Sequence, residues 1–138
     1  QHYFSPELFF TDLEFATKEE VITFMTQQIV KLGYAGFECI SQAIERERLS
    51  STVTEYGIAI PRVHSSKSSR TIICVAQLKN SIHWDGQKVS MVFLISATDE
   101  DLPIYGTLLN YLANILCRRE QRKRLAHIQT FNDFLALL

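Results

Sequence analysis

Arg62 and His64 are the pair in this sequence with the clearest capacity for joint chemistry. They follow the apolar run Gly57-Ile58-Ala59-Ile60 and Pro61, which reads as the end of a strand. In an extended segment residues two apart point to one face, about 7 Å from each other along the chain. A neutral imidazole is a nucleophile at ordinary pH. An arginine stays protonated and is no nucleophile, but its planar fork holds anions. The opposing reading makes His64 an exposed residue before a loop, because Ser65, Ser66, Ser68 and Ser69 follow closely. That serine cluster itself reads as a loop, with phosphate binding as the less ordinary role.

The other candidates carry less. His83 stands beside Trp84 in a turn between strands, His2 is terminal, and His127 falls near a helix end, where it complements the dipole. None has a partner at metal-ligand spacing, and no cofactor motif is present. Cys39, Cys74 and Cys117 are odd in number and far apart in apolar stretches. They read as free, mostly buried thiols of a reducing compartment. Arg118, Arg119, Arg122, Lys123 and Arg124 form a basic run, interleaved with Glu120. With a net charge of −1 for the whole chain, this reads as a solvated helix face and no direct nucleic-acid contact is expected. Val53, Tyr56 and Val63 read as strand packing residues in preference to a docking surface.

The elements that position these residues are legible from periodicity. Thr17-Lys18-Glu19-Glu20 has the form of a capping box. Val21, Ile22, Met25, Ile29 and Leu32 then recur at helical spacing up to Gly33. A second helix is expected over 36–47, burying Phe37, Ile40, Ala43 and Ile44 and ending in the charged group Glu45-Arg46-Glu47-Arg48. Residues 71–78 and 89–96 are nearly continuous apolar runs, as expected of strands covered on both faces. Asp85-Gly86 is a turn signal between them. Residues 98–101 open a third long helix with Pro103 in its first turn and an apolar stripe of Ile104, Leu108, Tyr111, Leu112, Ile115 and Leu116. A basic helix over 118–126 follows, then a short helix capped by Thr130. Helices on both sides of a run of strands imply a three-layer α/β/α domain with a central mixed sheet.

The chain has 138 residues, 46% hydrophobic and 21% charged, the length and balance of one globular domain. Its longest apolar run, Met91 to Ile95, is far short of the ~20 residues that cross a bilayer, and no secretory leader is visible. A cytoplasmic protein without membrane insertion is expected. The chain begins at Gln1, not Met, which suggests a single domain excised from a longer polypeptide.

Several short motifs recur in order and resemble one family. They are Arg46-Glu47 shortly before Thr52, the run Gly57-Ile58-Ala59-Ile60-Pro61, the stretch from Leu78 through Trp84-Asp85-Gly86 to Val92-Phe93-Leu94, and the helix Leu108 to Leu116. Together they resemble the type-2 enzyme IIA domain, the fructose/mannitol class of the bacterial sugar phosphotransferase system, over nearly the whole chain. The resemblance implies phosphoryl relay. A histidine phosphocarrier protein donates to a histidine just after the Ile-Pro, which passes the group to a cysteine on an enzyme IIB domain. It also implies that Arg46 matches a retained family arginine, that the acceptor position is Arg62, and that a supporting histidine position is Tyr105. In the glycine-rich lead-in, here Ser51-Thr52-Val53-Thr54-Glu55-Tyr56-Gly57, two family glycines have become Val53 and Glu55.

These departures favour a regulatory copy, of the kind found at the C-terminal end of bacterial transcription activators and antiterminators, with DNA- or RNA-binding domains elsewhere in the full-length chain. Arg46, Thr52, Arg62 and Tyr105 would then form a cationic, phosphate-sized pocket. One alternative is an active phosphocarrier of a sugar uptake system using His64 as acceptor. The other is a protein-interaction module that binds no phosphate.

Overall fold

The computed structural model describes residues 3–64 and 69–138. His2, Ser65, Ser66 and Ser68 lie outside the described residues. The chain runs Phe9–Leu13 (β1), Lys18–Lys31 (α1), Cys39–Leu49 (α2), Ile58–Ala59 (β2), Arg62–His64 (β3), Ile72–Trp84 (β4), Gln87–Ala97 (β5), Tyr105–Leu116 (α3), Arg119–His127 (α4) and Phe131–Ala136 (α5).

The centre is a hairpin of β4 and β5, antiparallel, closed by a two-residue turn in which Trp84 pairs with Gln87. Asp85 and Gly86 both take positive φ, 50° and 89°, the backbone a two-residue hairpin turn requires. β1 lies parallel to β4 on one side, and β2 and β3 lie parallel to β5 on the other. The sheet is therefore mixed, as expected. β2 and β3 keep one register against β5, with Ile58 beside Met91 and Arg62 beside Ile95, so they form one edge strand interrupted at Ile60-Pro61. The Pro61 carbonyl still accepts from the Ile95 amide at 2.9 Å.

Alternation along the strands sorts two cores. Ile72, Cys74, Ala76, Val92, Leu94, Ala59 and Val63 pack with Val21, Ile22, Met25 and Ile29 of α1 and with Cys39 and Ala43 of α2. Ile73, Val75, Phe93, Ile95, Ile58 and Ile60 pack on the opposite face with Leu112 and Leu116 of α3, Leu125 of α4 and Phe134 of α5. Strands covered on both faces must be apolar throughout, which is why β4 and β5 read as unbroken hydrophobic runs.

The capping box forms as expected. The Thr17 hydroxyl accepts from the Glu20 amide at 3.2 Å, and the Glu20 carboxylate accepts from the Thr17 amide at 3.0 Å. Thr130 likewise accepts from Asp133 N–H and starts α5.

Several expectations are corrected. β1 was not anticipated. α2 begins at Cys39, leaving Phe37 78% exposed instead of buried. β4 continues to Trp84, so His83 is an exposed strand residue and not part of the turn. A 3₁₀ turn at Leu102–Ile104 precedes α3, which puts Ile104 outside the helix, and Tyr111 faces outward. Tyr56 does not pack under the strand: its ring is partly exposed and lies beneath the Arg122 guanidinium, 4.3 Å from it. The three cysteines are free and mostly buried, as expected: Cys39 and Cys74 are buried and Cys117 is exposed. Burial pushes the Cys39 thiol up to about 11, with Glu38 adding to the effect. Arg118, which precedes α4, and Arg119, Lys123 and Arg124 on it are exposed as expected, whereas Arg122 is half-buried and also donates to the Leu116 carbonyl at 2.8 Å.

Candidate functional site

The edge strand and the strand beside it carry the site at their shared carboxyl ends, where His64 pairs with Ala97. Val63 points into the core under α1 and α2. Alternation therefore aims Arg62 and His64 to the other side, the side of Ile58 and Ile60 and of α3. Tyr105, the first residue of α3, meets them there, and Arg46 reaches in from the last turn of α2. Gln42, Arg46, Arg62, Val63, His64 and Tyr105 line a cavity of about 350 Å³.

Four of the five residues expected to form a site, Arg46, Arg62, His64 and Tyr105, are thus brought together. Thr52 is not among the lining residues. Its hydroxyl donates to Glu47 Oε1 at 2.8 Å and accepts from the Ile60 amide at 3.2 Å, so it braces the strand behind the cavity.

Glu47 is the organising group of that brace. Its position in a charged helix end suggests exposure, yet it is only 2% exposed. Its carboxylate accepts from the Thr52 amide at 2.8 Å, the Thr52 hydroxyl at 2.8 Å, the Ser51 hydroxyl at 3.3 Å and the Trp84 indole N–H at 2.9 Å. A buried carboxylate is tolerated only when its oxygens are satisfied in this way. The contact ties α2, the lead-in loop and the hairpin tip into one unit. Lys18 adds a second tie to that tip through Asp85, at 2.6 Å, and the bond to Lys18 and then to Ser51 holds the Asp85 carboxyl below the usual range.

The lead-in loop works without its lost glycines. Among the described residues the non-glycine positions with positive φ are Asp12 and Asp85, so Val53 and Glu55 take ordinary backbone angles. Gly57 does require its glycine, with φ at +77° and a would-be Cβ 3.4 Å from the Lys88 carbonyl. Gly57→Ala is expected to lose about 1–2 kcal/mol in a urea unfolding curve, the ordinary penalty of an L-residue in the left-handed region.

The donors of the cavity are underused. Arg62 Nε and the Tyr105 hydroxyl are buried and have no hydrogen-bond partner among the described residues. Arg46 directs one nitrogen to the Ser50 carbonyl at 2.8 Å. Burial pushes the Arg62 guanidinium below its ordinary value; Arg46 pushes the same way, while Tyr105 and Glu47 oppose. Burial raises the Tyr105 phenol well above its usual range, against the pull of Arg62 and Arg46, so it remains a neutral donor. His64 Nε2 contacts Asp99 Oδ1 at the rim. The arrangement can bind an oxyanion through cations and a hydroxyl, and its nucleophile is confined to the edge.

Sequence reasoning missed Gln42, Glu47 as a brace, and Asp99. Gln42 lies four residues before Arg46, hence on one helix face, and that spacing was a usable signal. Nothing local marks Asp99, whose partner lies 35 residues away.

Comparison with known proteins shows the family and the fold. Residues 2–138 match the family described as "Phosphoenolpyruvate-dependent sugar phosphotransferase system, EIIA 2". The "Probable licABCH operon regulator" of Bacillus subtilis is 33% identical over 114 residues, covering 83% of this chain and 18% of that protein. "Transcriptional regulator ManR" of the same organism is 27% identical, covering 95% of this chain and 21% of that protein. The chain therefore spans about a fifth of the length of these regulators. Among solved structures, IIA mannitol from Escherichia coli superposes with a TM-score of 0.84 at 26% identity, covering 96% of each chain. A complex of enzyme IIAMtl with phosphorylated enzyme IIBMtl from Escherichia coli superposes with the same TM-score, 0.84, over 97% of this chain and 96% of that one. Among the described residues no helix is long and apolar enough to cross a membrane. On these grounds the chain belongs to the type-2 EIIA family of the phosphoenolpyruvate-dependent sugar phosphotransferase system.

Proposed function

We propose that this is a regulatory EIIA domain that docks the proteins of the sugar phosphorelay and does not accept the phosphoryl group itself. The observation that carries the reading is Arg62, half-buried in the cavity between Arg46 and Tyr105, at the position just after the Ile-Pro step. A guanidinium has no lone pair to give at any accessible pH, so covalent relay through this position is chemically closed. A transporter component must turn phosphoryl groups over, whereas a regulatory copy can work by association alone. The likeness to two transcription regulators supports the second role. The partners implied are the histidine phosphocarrier protein and a cysteine-bearing enzyme IIB domain, and the chain acts as one cytoplasmic domain beside DNA- or RNA-binding domains in a longer polypeptide.

Titration of the isotopically labelled domain with unphosphorylated carrier tests docking. Amide shifts centred on Gln42, Arg46 and the start of α3 are expected. No shifts, or shifts confined to the basic face of α4, would contradict it.

A second reading is favoured by one contact. Asp99 at Nε2 orients the His64 ring and leaves Nδ1 as the nucleophilic nitrogen. Phosphoryl acceptance at His64 would then use Arg62 as its clamp. Nδ1, however, is the nitrogen nearer the main chain and harder for a donor protein to approach, and the Asp99 carboxylate stands beside any incoming anion. Docking without acceptance is the better fit.

A further inference from the structure

We propose that the cavity is a non-covalent reader of a phosphoryl group carried on a partner protein, so that the domain binds the phosphorylated form of its partner in preference to the unphosphorylated form. This rests on the docking reading above and assigns it a direction.

The donor inventory points to an anionic guest. Arg62 Nε and the Tyr105 hydroxyl are buried and unpartnered among the described residues, and Arg46 has donors beyond the one bonded to Ser50. Leaving a buried donor unsatisfied is unfavourable, and a charged acceptor relieves it best. None of the lining residues is acidic. Two carboxylates close by are engaged elsewhere: Glu47 behind the strand with Thr52 and Trp84, Asp99 with His64 at the rim. The cavity thus presents positive charge and hydrogen-bond donors with no acidic lining group to neutralise them.

Size and access separate a protein-borne phosphoryl group from a free ion. About 350 Å³ is several times the volume of a phosphate and leaves room for the side chain that carries it. Leu102 and Ile104 stand partly exposed immediately before Tyr105, giving an apolar edge of the kind a protein partner covers. Arg62 then does what no acceptor histidine could do. It holds the phosphoryl oxygens while the bond to the partner stays intact, so no atom is transferred.

The test measures dissociation constants of the domain for the histidine phosphocarrier and for enzyme IIB, each in phosphorylated and unphosphorylated form. Inorganic phosphate and a sugar phosphate serve as competitors. The expected result is at least tenfold tighter binding of one phosphorylated protein than of its unphosphorylated form, with that ratio falling toward one in Arg62→Gln and reduced in Tyr105→Phe. Tyr105→Phe removes one hydroxyl and no bulk, so it reports even where the arginine variant folds poorly. Equal affinity for both forms of each protein would overturn the reader and leave docking standing. No binding of any form would overturn docking and the reader together. Binding of millimolar phosphate or sugar phosphate in the cavity with no preference for either phosphorylated protein would make the pocket a small-anion site and overturn the protein-borne source.

Discussion

Glu47→Ala is expected to cost about 3–5 kcal/mol of stability, because it leaves at least two buried hydrogen-bond donors unsatisfied at about 1–3 kcal/mol each, together with the loss of the side chain's packing. The carboxylate is 2% exposed and accepts four hydrogen bonds, from Ser51, from the amide and hydroxyl of Thr52, and from Trp84. Alanine would strand the Trp84 indole N–H and the Thr52 amide in a dry interior, each an unfavourable buried donor. Trp84 is itself fully buried, so water cannot replace the lost acceptor without opening the hairpin tip. Glutamine keeps the shape but turns an NH2 toward one of these donors, so Glu47→Gln should also destabilise, by less. Urea unfolding monitored by Trp84 fluorescence measures both. A loss below about 1 kcal/mol for the alanine variant would show that this network does not hold the site together.

Arg62→His is expected to convert a domain that takes no phosphoryl group into one that takes a single group per chain. Everything else at the position stays: the strand register that aims residue 62 into the cavity, the Arg46 cation, and the Tyr105 hydroxyl. The new imidazole would attack the phosphorus of the phosphorylated carrier and leave the carrier histidine unphosphorylated. Tyr105 can hydrogen-bond the group but cannot exchange protons as an imidazole does near neutral pH. Positioned acid-base groups contribute about 10²–10⁴-fold, so labelling should be slow in Arg62→His and faster when Tyr105→His is added. Intact mass after incubation in a complete relay mixture reads the result. An unlabelled double variant would mean that the pocket has lost more than its nucleophile.

Much of this architecture is legible locally because its signals are local. The capping box at Thr17, the Asp85-Gly86 turn and the Thr130 cap each involve residues two to four apart, and each forms as read. The doubly covered strands announce themselves by unbroken apolar runs. β1 escaped because Phe9-Phe10-Thr11-Asp12-Leu13 neither alternates nor runs apolar, and Asp12 breaks it with positive φ. Phe37 is misleading in sequence because it stands at helical spacing from Ile40 and Ile44 yet precedes the first turn of α2.

The site was legible where a motif fixes position and opaque where long-range pairing decides. Arg46, Arg62, His64 and Tyr105 line one cavity. Glu47 looks like a surface charge until Trp84, 37 residues later in sequence, supplies its partner. Asp99 at His64 depends on the approach of two strand ends, which no spacing encodes. Thr52 was assigned to the pocket from its place in the lead-in, but its hydroxyl is engaged by Glu47 and Ile60.

The most direct test of the central claim is intact mass of the wild-type domain after incubation with phosphoenolpyruvate, enzyme I and the histidine phosphocarrier, with His64→Ala alongside. No phosphoryl adduct is expected on either protein. An adduct on the wild type that disappears in His64→Ala would contradict that claim and make the domain an active phosphocarrier with its acceptor moved to the rim.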